Sequence, residues 1–138
     1  MSKVYVLDAC ALIAALSGED GTAMVEAAYN EVASGEAEIL MNIVNLLEVY
    51  YDDYRIHGKD SANNMVVAIM ESSTNIISNI GNDIFAEAGR LKASYRISLA
   101  DAIVLAQALV TNGILLTSDH HEFDVIEVIE PIRFQWIR

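Results

Sequence analysis

Along this chain, short apolar runs alternate with longer stretches in which apolar side chains recur every third or fourth position. The first kind reads as buried strand and the second as amphipathic helix. Lys3 to Leu7 reads as a strand and Ala9 to Leu16 as a short helix, broken by Ser17-Gly18-Glu19-Asp20-Gly21. Thr22 is placed to cap a second helix, with Val25, Ala28, Tyr29 and Val32 on one side and Glu26 and Glu31 on the other. Ser34-Gly35 ends it, and Glu38-Ile39-Leu40-Met41 reads as a buried strand. Asn42 or Asn45 opens a helix to about Ile56, closed by His57-Gly58, and Asp60 or Ser61 caps another through Met70. Asn75-Ile76-Ile77 reads as a strand. Asn82 or Asp83 starts a helix to about Tyr95, and Ser98 starts one that ends at Asn112-Gly113. A strand from Ile114 to Thr117, a polar turn and a strand from Val125 to Ile129 before Pro131 complete the pattern.

Strands spaced by helices predict an α/β fold, a three-layer α/β/α sandwich around a mostly parallel central sheet. Connections in such a sheet are right-handed, and ligands bind outside the carboxyl ends of the strands. The 138 residues fit one domain, with no internal repeat, low-complexity segment or linker. Apolar residues make up 54%, well above a disordered chain. Asn45, Glu48, Asp101 and Gln107 interrupt the longest apolar stretches, so none reads as a membrane span. Met1-Ser2-Lys3 leads straight into the first strand without a secretory pattern, and the single Cys10 fits a reducing cytoplasm.

Candidate chemistry rests on four carboxylates. Asp8 ends the first strand and Asp119 follows the strand at Ile114–Thr117, so both fall at the ligand-binding edge. Asp101 opens the apolar helix Ala102 to Val110, and Glu48 lies beside the stripe Val44, Leu47 and Tyr51. Each has a plainer reading. Asp8 caps a helix, Glu48 reaches to water from a boundary, Ser98 with Asp101 resembles a capping box, and Asp119 sits in a turn. Together at one edge they would repel each other unless a divalent cation or bound protons held them. That predicts a metal site and metal-assisted chemistry on phosphates.

Other features carry less. His120-His121 in a polar turn reads as solvated, and Cys10 lacks a partner base. Glu122, Asp124 and Glu127 read either as further charge at the site or simply as part of an acidic last strand region. Ser17 to Thr22 lacks the lysine of a phosphate loop, and no Gly-x-Gly-x-x-Gly occurs. The net charge of −12 leaves eight Lys and Arg, too few for a general phosphate-binding field. They are unevenly spread: Arg55 and Lys59 follow Glu48, and Arg90, Lys92 and Arg96 precede Asp101. They read either as solvated helix faces or as a basic rim around an acidic centre.

The segments Val6-Leu7-Asp8-Ala9-Cys10-Ala11-Leu12, Asn45-Leu46-Leu47-Glu48-Val49, Ser98-Leu99-Ala100-Asp101-Ala102 and Leu116-Thr117-Ser118-Asp119 together resemble the motifs of PIN-domain ribonucleases, specifically the VapC-type toxins of toxin–antitoxin pairs. The resemblance spans essentially the whole chain. It implies that Asp8, Glu48, Asp101 and Asp119 surround Mg²⁺ or Mn²⁺. Thr117 matches the family's usual hydroxyl before the last acid, while Cys10 stands where the family commonly has Ser, Thr or Asn. It further implies hydrolysis of RNA to a 5′-phosphate and a VapB-like antitoxin that represses its own operon. Restraint of such a site calls for a basic partner residue among the acids, Arg above all. Tyr50, Tyr51 and Tyr54 on one helix exceed what its own core can bury, which predicts a homodimer, as the resemblance also implies. Two further readings stay open: another Mg²⁺-dependent phosphate hydrolase, although Ala9 and Cys10 do not supply the second acid such enzymes place beside the first, and a non-catalytic PIN-like protein-binding module.

Overall fold

A computed structural model describes residues 3–138, with Met1 and Ser2 outside the described part. Its centre is β1 (Lys3–Leu7), whose alternation of side chains sets two cores at once. Tyr5 and Leu7 point to one face and Val6 to the other. β1 lies between β2 (Ala37–Asn42) and β4 (Ile114–Thr117), pairing Tyr5 with Ile39 and with Ile114. β3 (Thr74–Ile77) flanks β2, and β5 (Arg133–Trp136) flanks β4. The order is β3-β2-β1-β4-β5, with every pair parallel. Parallel neighbours need crossovers, and here the links from β1 to β2, β2 to β3 and β3 to β4 each run through a pair of helices and that from β4 to β5 through one.

Four helices cover the Tyr5 face: α1 (Ala9–Leu16), α2 (Thr22–Ala33), α3 (Ile43–His57) and α4 (Lys59–Glu71). The Val6 face is covered by α5 (Asn82–Ser94), α6 (Leu99–Thr111) and α7 (His120–Ile129). The expected α/β/α sandwich is therefore the observed one. α6 is its most buried helix, with every residue from Ala102 to Ala108 enclosed, as its nearly uniform apolarity requires. Asn112 closes α6 in the left-handed conformation, which asparagine tolerates.

The C-terminal region departs from the expectation. Val125 to Ile129, read above as a strand, is the second half of α7, and His120-His121 form its first turn rather than a free turn. Phe123 and Ile126 are buried at a spacing of three, while Val125, Val128 and Ile129 face outward. The β-branched run mimics a strand, but helical burial of two side chains decides the conformation. The last strand instead follows Pro131, as β5.

Smaller corrections concern caps and faces. Gly21, at positive φ, stands at the N-cap of α2, with Thr22 as its first residue. Any β-carbon there would collide with the carbonyl oxygen and side chain of Ile137, so tertiary contact selects glycine. Gly58, not Asp60 or Ser61, precedes α4, and Gly81 precedes α5. On α3 the buried residues are Asn45, Leu46 and Val49, whereas Leu47 and Tyr51 of the expected stripe are about half exposed.

Candidate active site

Asp8 leaves β1 at its carboxyl end and is nearly inaccessible, at 4% exposure. Its Oδ1 accepts hydrogen bonds from the backbone N–H of Cys10 at 2.7 Å and of Ala11 at 3.2 Å, which makes it the N-cap of α1. Its Oδ2 accepts from the Thr117 hydroxyl at 2.9 Å. Capping and placement at the edge are thus one arrangement, with the carboxylate fixed from both sides. The same Thr117 oxygen accepts from the backbone N–H of Asp119 at 3.1 Å, tying the end of β4 to the end of β1. Because the Thr117 hydrogen goes to Asp8, the Cys10 thiol is the donor in its 3.4 Å contact with Thr117 Oγ1. Cys10 Sγ also accepts from the Ser118 N–H and hydroxyl, each at 3.4 Å. Burial first, then the Asp8 charge, pushes this thiol up to about 11, so Cys10 is a neutral brace and not a nucleophile.

Asp119 caps α7 by accepting from the N–H of Glu122 at 3.2 Å. Asp101 stands in the first turn of α6, which Ser98 caps by accepting from the Asp101 N–H at 3.0 Å. Asn45 joins α3 to this same turn: its Nδ2 donates to the carbonyl of Ala100 at 3.1 Å. Glu48 lies one turn beyond Asn45, so the bond that docks α3 on α6 also brings Glu48 to the acids. Four elements therefore deliver four carboxylates to one cleft of about 260 Å³, lined by Asp8, Cys10, Asn45, Glu48, Asp101 and Asp119, with Tyr51, Asp52 and Arg55 along α3.

The electrostatics of the cleft are unrelieved. Burial raises the Asp8 carboxyl above its ordinary range, against the hydrogen bonds from Cys10, Thr117 and Ala11. Burial, then the negative charge of Asp101 and Asp8, raises Glu48. Asp101 is pushed up to about 6, by burial first and by Asp119 next, with Ser98 opposing. Charge repulsion of this kind favours a cation or protons in the cleft. The donor set suits a hard divalent cation, since it is all carboxylate with the Asn45 Oδ1, a buried oxygen that has no hydrogen-bond partner. No three His, Cys, Asp or Glu side chains among the described residues are already grouped as a metal cage. Side-chain adjustment or retained waters would complete a coordination sphere, as Mg²⁺ commonly requires.

All four sequence-selected acids converge, and Thr117 and Cys10 join them. His120, Asp124 and Glu127 do not line the cleft. His120 pairs with Asp124 and stacks on Trp136, and Glu127 accepts from the Trp136 indole N–H. His121 is fully outward, and Glu122 lends only its backbone N–H to Asp119. Of the expected basic rim, Arg55 alone reaches the cleft, while Arg90 is tied to Glu87 and Glu130. Asn45 is a further site residue, beyond the four acids the sequence points to. An asparagine inside the apolar run Ile43 to Leu47, three positions before Glu48, was the signal.

No curated protein is a detectable sequence relative of the chain. Among solved structures it is similar to a toxin–antitoxin complex from Klebsiella pneumoniae, with TM-score 0.65 and 24% identity over 86% of this chain and 89% of that one. It is also similar to DNA-bound VapBC from Salmonella typhimurium, with TM-score 0.74 and 13% identity over 100% of both chains. A third likeness is to VapC20 of Mycobacterium tuberculosis, a toxin that cleaves the sarcin–ricin loop, with TM-score 0.61 and 15% identity over 80% of this chain and 86% of that one. At these identities the likeness is one of fold. A family model for the PIN domain matches residues 5–128, nearly the whole of the described chain, and the protein belongs to the PIN domain family.

Proposed function

We propose that this PIN domain is a Mg²⁺- or Mn²⁺-dependent endoribonuclease and the toxin of a toxin–antitoxin pair, acting in the cytoplasm. The observation that carries the reading is the convergence of Asp8, Glu48, Asp101 and Asp119 in one cleft, where their charges are left uncompensated. Asp8, Asp101 and Asp119 are the residues to hold the ion, directly or through water. A bound divalent ion supplies Lewis acidity, acidifying water and offsetting charge on the phosphate. Asp8 keeps a fixed orientation through Cys10, Ala11 and Thr117, so little ordering remains for the moment of reaction. Glu48 accepts a hydrogen bond from the attacking water. Its raised pKa makes it a better proton acceptor than an ordinary glutamate near neutral pH. Attack on phosphorus in line with the 3′ oxygen breaks that P–O bond and leaves a 5′-phosphate and a 3′-hydroxyl.

The partners follow from the same surface. A VapB-like antitoxin would place an Arg among the four acids and lay an apolar helix on neighbouring surface, where Leu47, Val67 and Met70 are half exposed. Exposed apolar side chains such as Phe85, Leu99 and Tyr54 supply surface for a homodimer, and light scattering at tens of micromolar should report twice the chain mass. The alternative is a non-catalytic PIN module that binds protein, against which the presence of all four acids in one cleft argues. Incubation of purified protein with RNA in Mg²⁺, in Mn²⁺ and in excess chelator separates the two. Metal-dependent cleavage supports the enzyme, equal cleavage in chelator defeats the metal mechanism, and no cleavage in any buffer favours the module. Co-expression with the adjacent small open reading frame tests the toxin assignment: a bound partner that leaves cleavage intact removes it.

A further inference from the structure

We propose that the face of α3 beyond Glu48 is a docking track for single-stranded RNA, with Tyr51 stacking on a nucleobase and Arg55, steadied by Asp52, pairing with the phosphate beside it. This rests on the ribonuclease reading and specifies how the substrate is held. Glu48, Tyr51, Asp52 and Arg55 recur at spacings of three and four, and all four line the cleft. Seven residues of helix carry the track ~10 Å past Glu48, so Arg55 stands over a neighbouring phosphate and not the one being cut.

Arg55 is the sole Lys or Arg lining a cleft that also holds Asp8, Glu48, Asp52, Asp101 and Asp119. The chain's other cations are placed elsewhere. Lys3 pairs with Glu31, Arg90 with Glu87 and Glu130, and Arg138 with Glu19, while Arg133 donates to the carbonyl of Asn112. Lys59, Lys92 and Arg96 are exposed and do not line the cleft. An RNA strand entering an acidic cleft on a chain of charge −12 needs a local positive contact, and Arg55 is placed to give it.

The geometry suits that task better than a structural one. Asp52 Oδ1 takes one hydrogen bond from Arg55 Nη2 at 2.8 Å, leaving the other guanidinium donors free. The Arg55 side chain is 69% exposed, and pairs this open contribute little to stability. The Tyr51 ring is half exposed at the cleft wall, where a phenol face is available to an unstacked base. Aromatic stacking and a nearby cation are the common means of holding a single strand without reading its sequence.

The test uses the full chain with Mn²⁺ and a short fluorescent single-stranded RNA, scored by steady-state cleavage and by fluorescence anisotropy. Arg55→Gln should raise KM several-fold and lower the slope of log(kcat/KM) against log salt by about 0.7, the signature of one lost phosphate contact. Tyr51→Ala should raise KM at least fivefold with the slope unchanged, and Tyr51→Phe should restore it, because stacking needs the ring and not the hydroxyl. Lys92→Gln, on the exposed side of α5, changes net charge equally and should match the wild type. Equal behaviour of Arg55→Gln and Lys92→Gln in both KM and slope overturns the phosphate contact. A Tyr51→Phe variant as weak as Tyr51→Ala overturns the stacking contact. Absence of cleavage by the wild type instead overturns the ribonuclease reading; anisotropy then decides the track, which is overturned if Arg55→Gln and Tyr51→Ala bind the RNA as tightly as the wild type.

Discussion

Two groups of acids in this molecule show opposite behaviour. At Glu130, a carboxylate whose side chain is only 8% exposed takes both Arg90 Nη1 at 3.1 Å and Nη2 at 2.7 Å, plus the Tyr95 hydroxyl at 2.6 Å. Arg90 pulls its pKa below the ordinary glutamate range, with Tyr95 adding to the effect. In the cleft, burial raises Asp8, Glu48 and Asp101 alike, like charge adds to the rise at Glu48 and Asp101, and no cation enters their hydrogen-bond network. The fold brings an arginine to a largely enclosed carboxylate in one place and leaves several carboxylates without one in the other. The first group fastens the end of α7 to α5. The second leaves its negative charge without an arginine partner inside the chain.

That contrast can be broken most severely at the cleft. On the proposed mechanism, Asp8→Asn and Asp101→Asn should each lower RNA cleavage by roughly a hundredfold, while circular dichroism stays unchanged. Retained activity in both would dissolve the distinction between the two groups. Glu130→Ala should do the reverse. It leaves Arg90 and Tyr95 to water in place of their acceptor and should cost about 1 kcal/mol in urea unfolding, with cleavage kinetics preserved.

Smaller effects sharpen the same contrast. Asp101→Asn should raise the melting temperature of metal-free protein by a few degrees, since it removes a carboxylate that folding makes harder to ionise. The same variant should lose most of the thermal shift that Mn²⁺ gives the wild type. A less stable variant with an intact Mn²⁺ response would make Asp101 a helix-capping residue only.

The pH dependence should then run in opposite directions for the two groups. Asp101, raised in the folded state to about 6 from an ordinary 3.8, destabilises the metal-free fold above that window. Its penalty is relieved as pH falls through 6 toward 3.8, where protons take the place of a cation. Glu130, lowered from an ordinary 4.5, contributes stability that is present above 4.5 and lost as pH falls through its folded value. Metal-free melting curves of Asp101→Asn and Glu130→Gln from pH 7 down through the ordinary carboxylate values and below, each compared with wild type, resolve the two. The Mn²⁺ shift of the wild type should fade below about pH 6 as Asp101 takes up a proton.

Several features of the site were legible because local chemistry and tertiary placement coincide. Asp8 and Asp119 close strand runs, so the rule that ligands bind at the carboxyl edge locates them without coordinates. Ser98 and Asn42 act as the caps their positions suggest. Misreadings arose where local signals favour one answer and packing another. Val125 to Ile129 carries strand-like side chains, yet Phe123 and Ile126 fix it as helix against the second core. The α3 stripe went wrong for a related reason. Asn45, a polar residue, is buried with its amide donating to the carbonyl of Ala100, and on the helix turned this way Leu47 and Tyr51 face solvent.

The sequence by itself determined the alternation of strand and helix, the parallel sheet that alternation requires, and the positions at which acids end strands or open helices. Those are consequences of side-chain period, capping and φ preference, which act within a few residues. Tertiary structure alone decided which basic residue joins the cleft, since Arg55 and Arg90 look alike in sequence but meet Asp52 and Glu130 respectively. It also decided that Thr117 bridges Asp8 and Asp119, and that Asn45 sets the depth of Glu48. The pKa displacements belong to this second kind. They depend on the distance between charges brought from residues 8, 48, 101 and 119 and on the water excluded around them, and no local pattern encodes either.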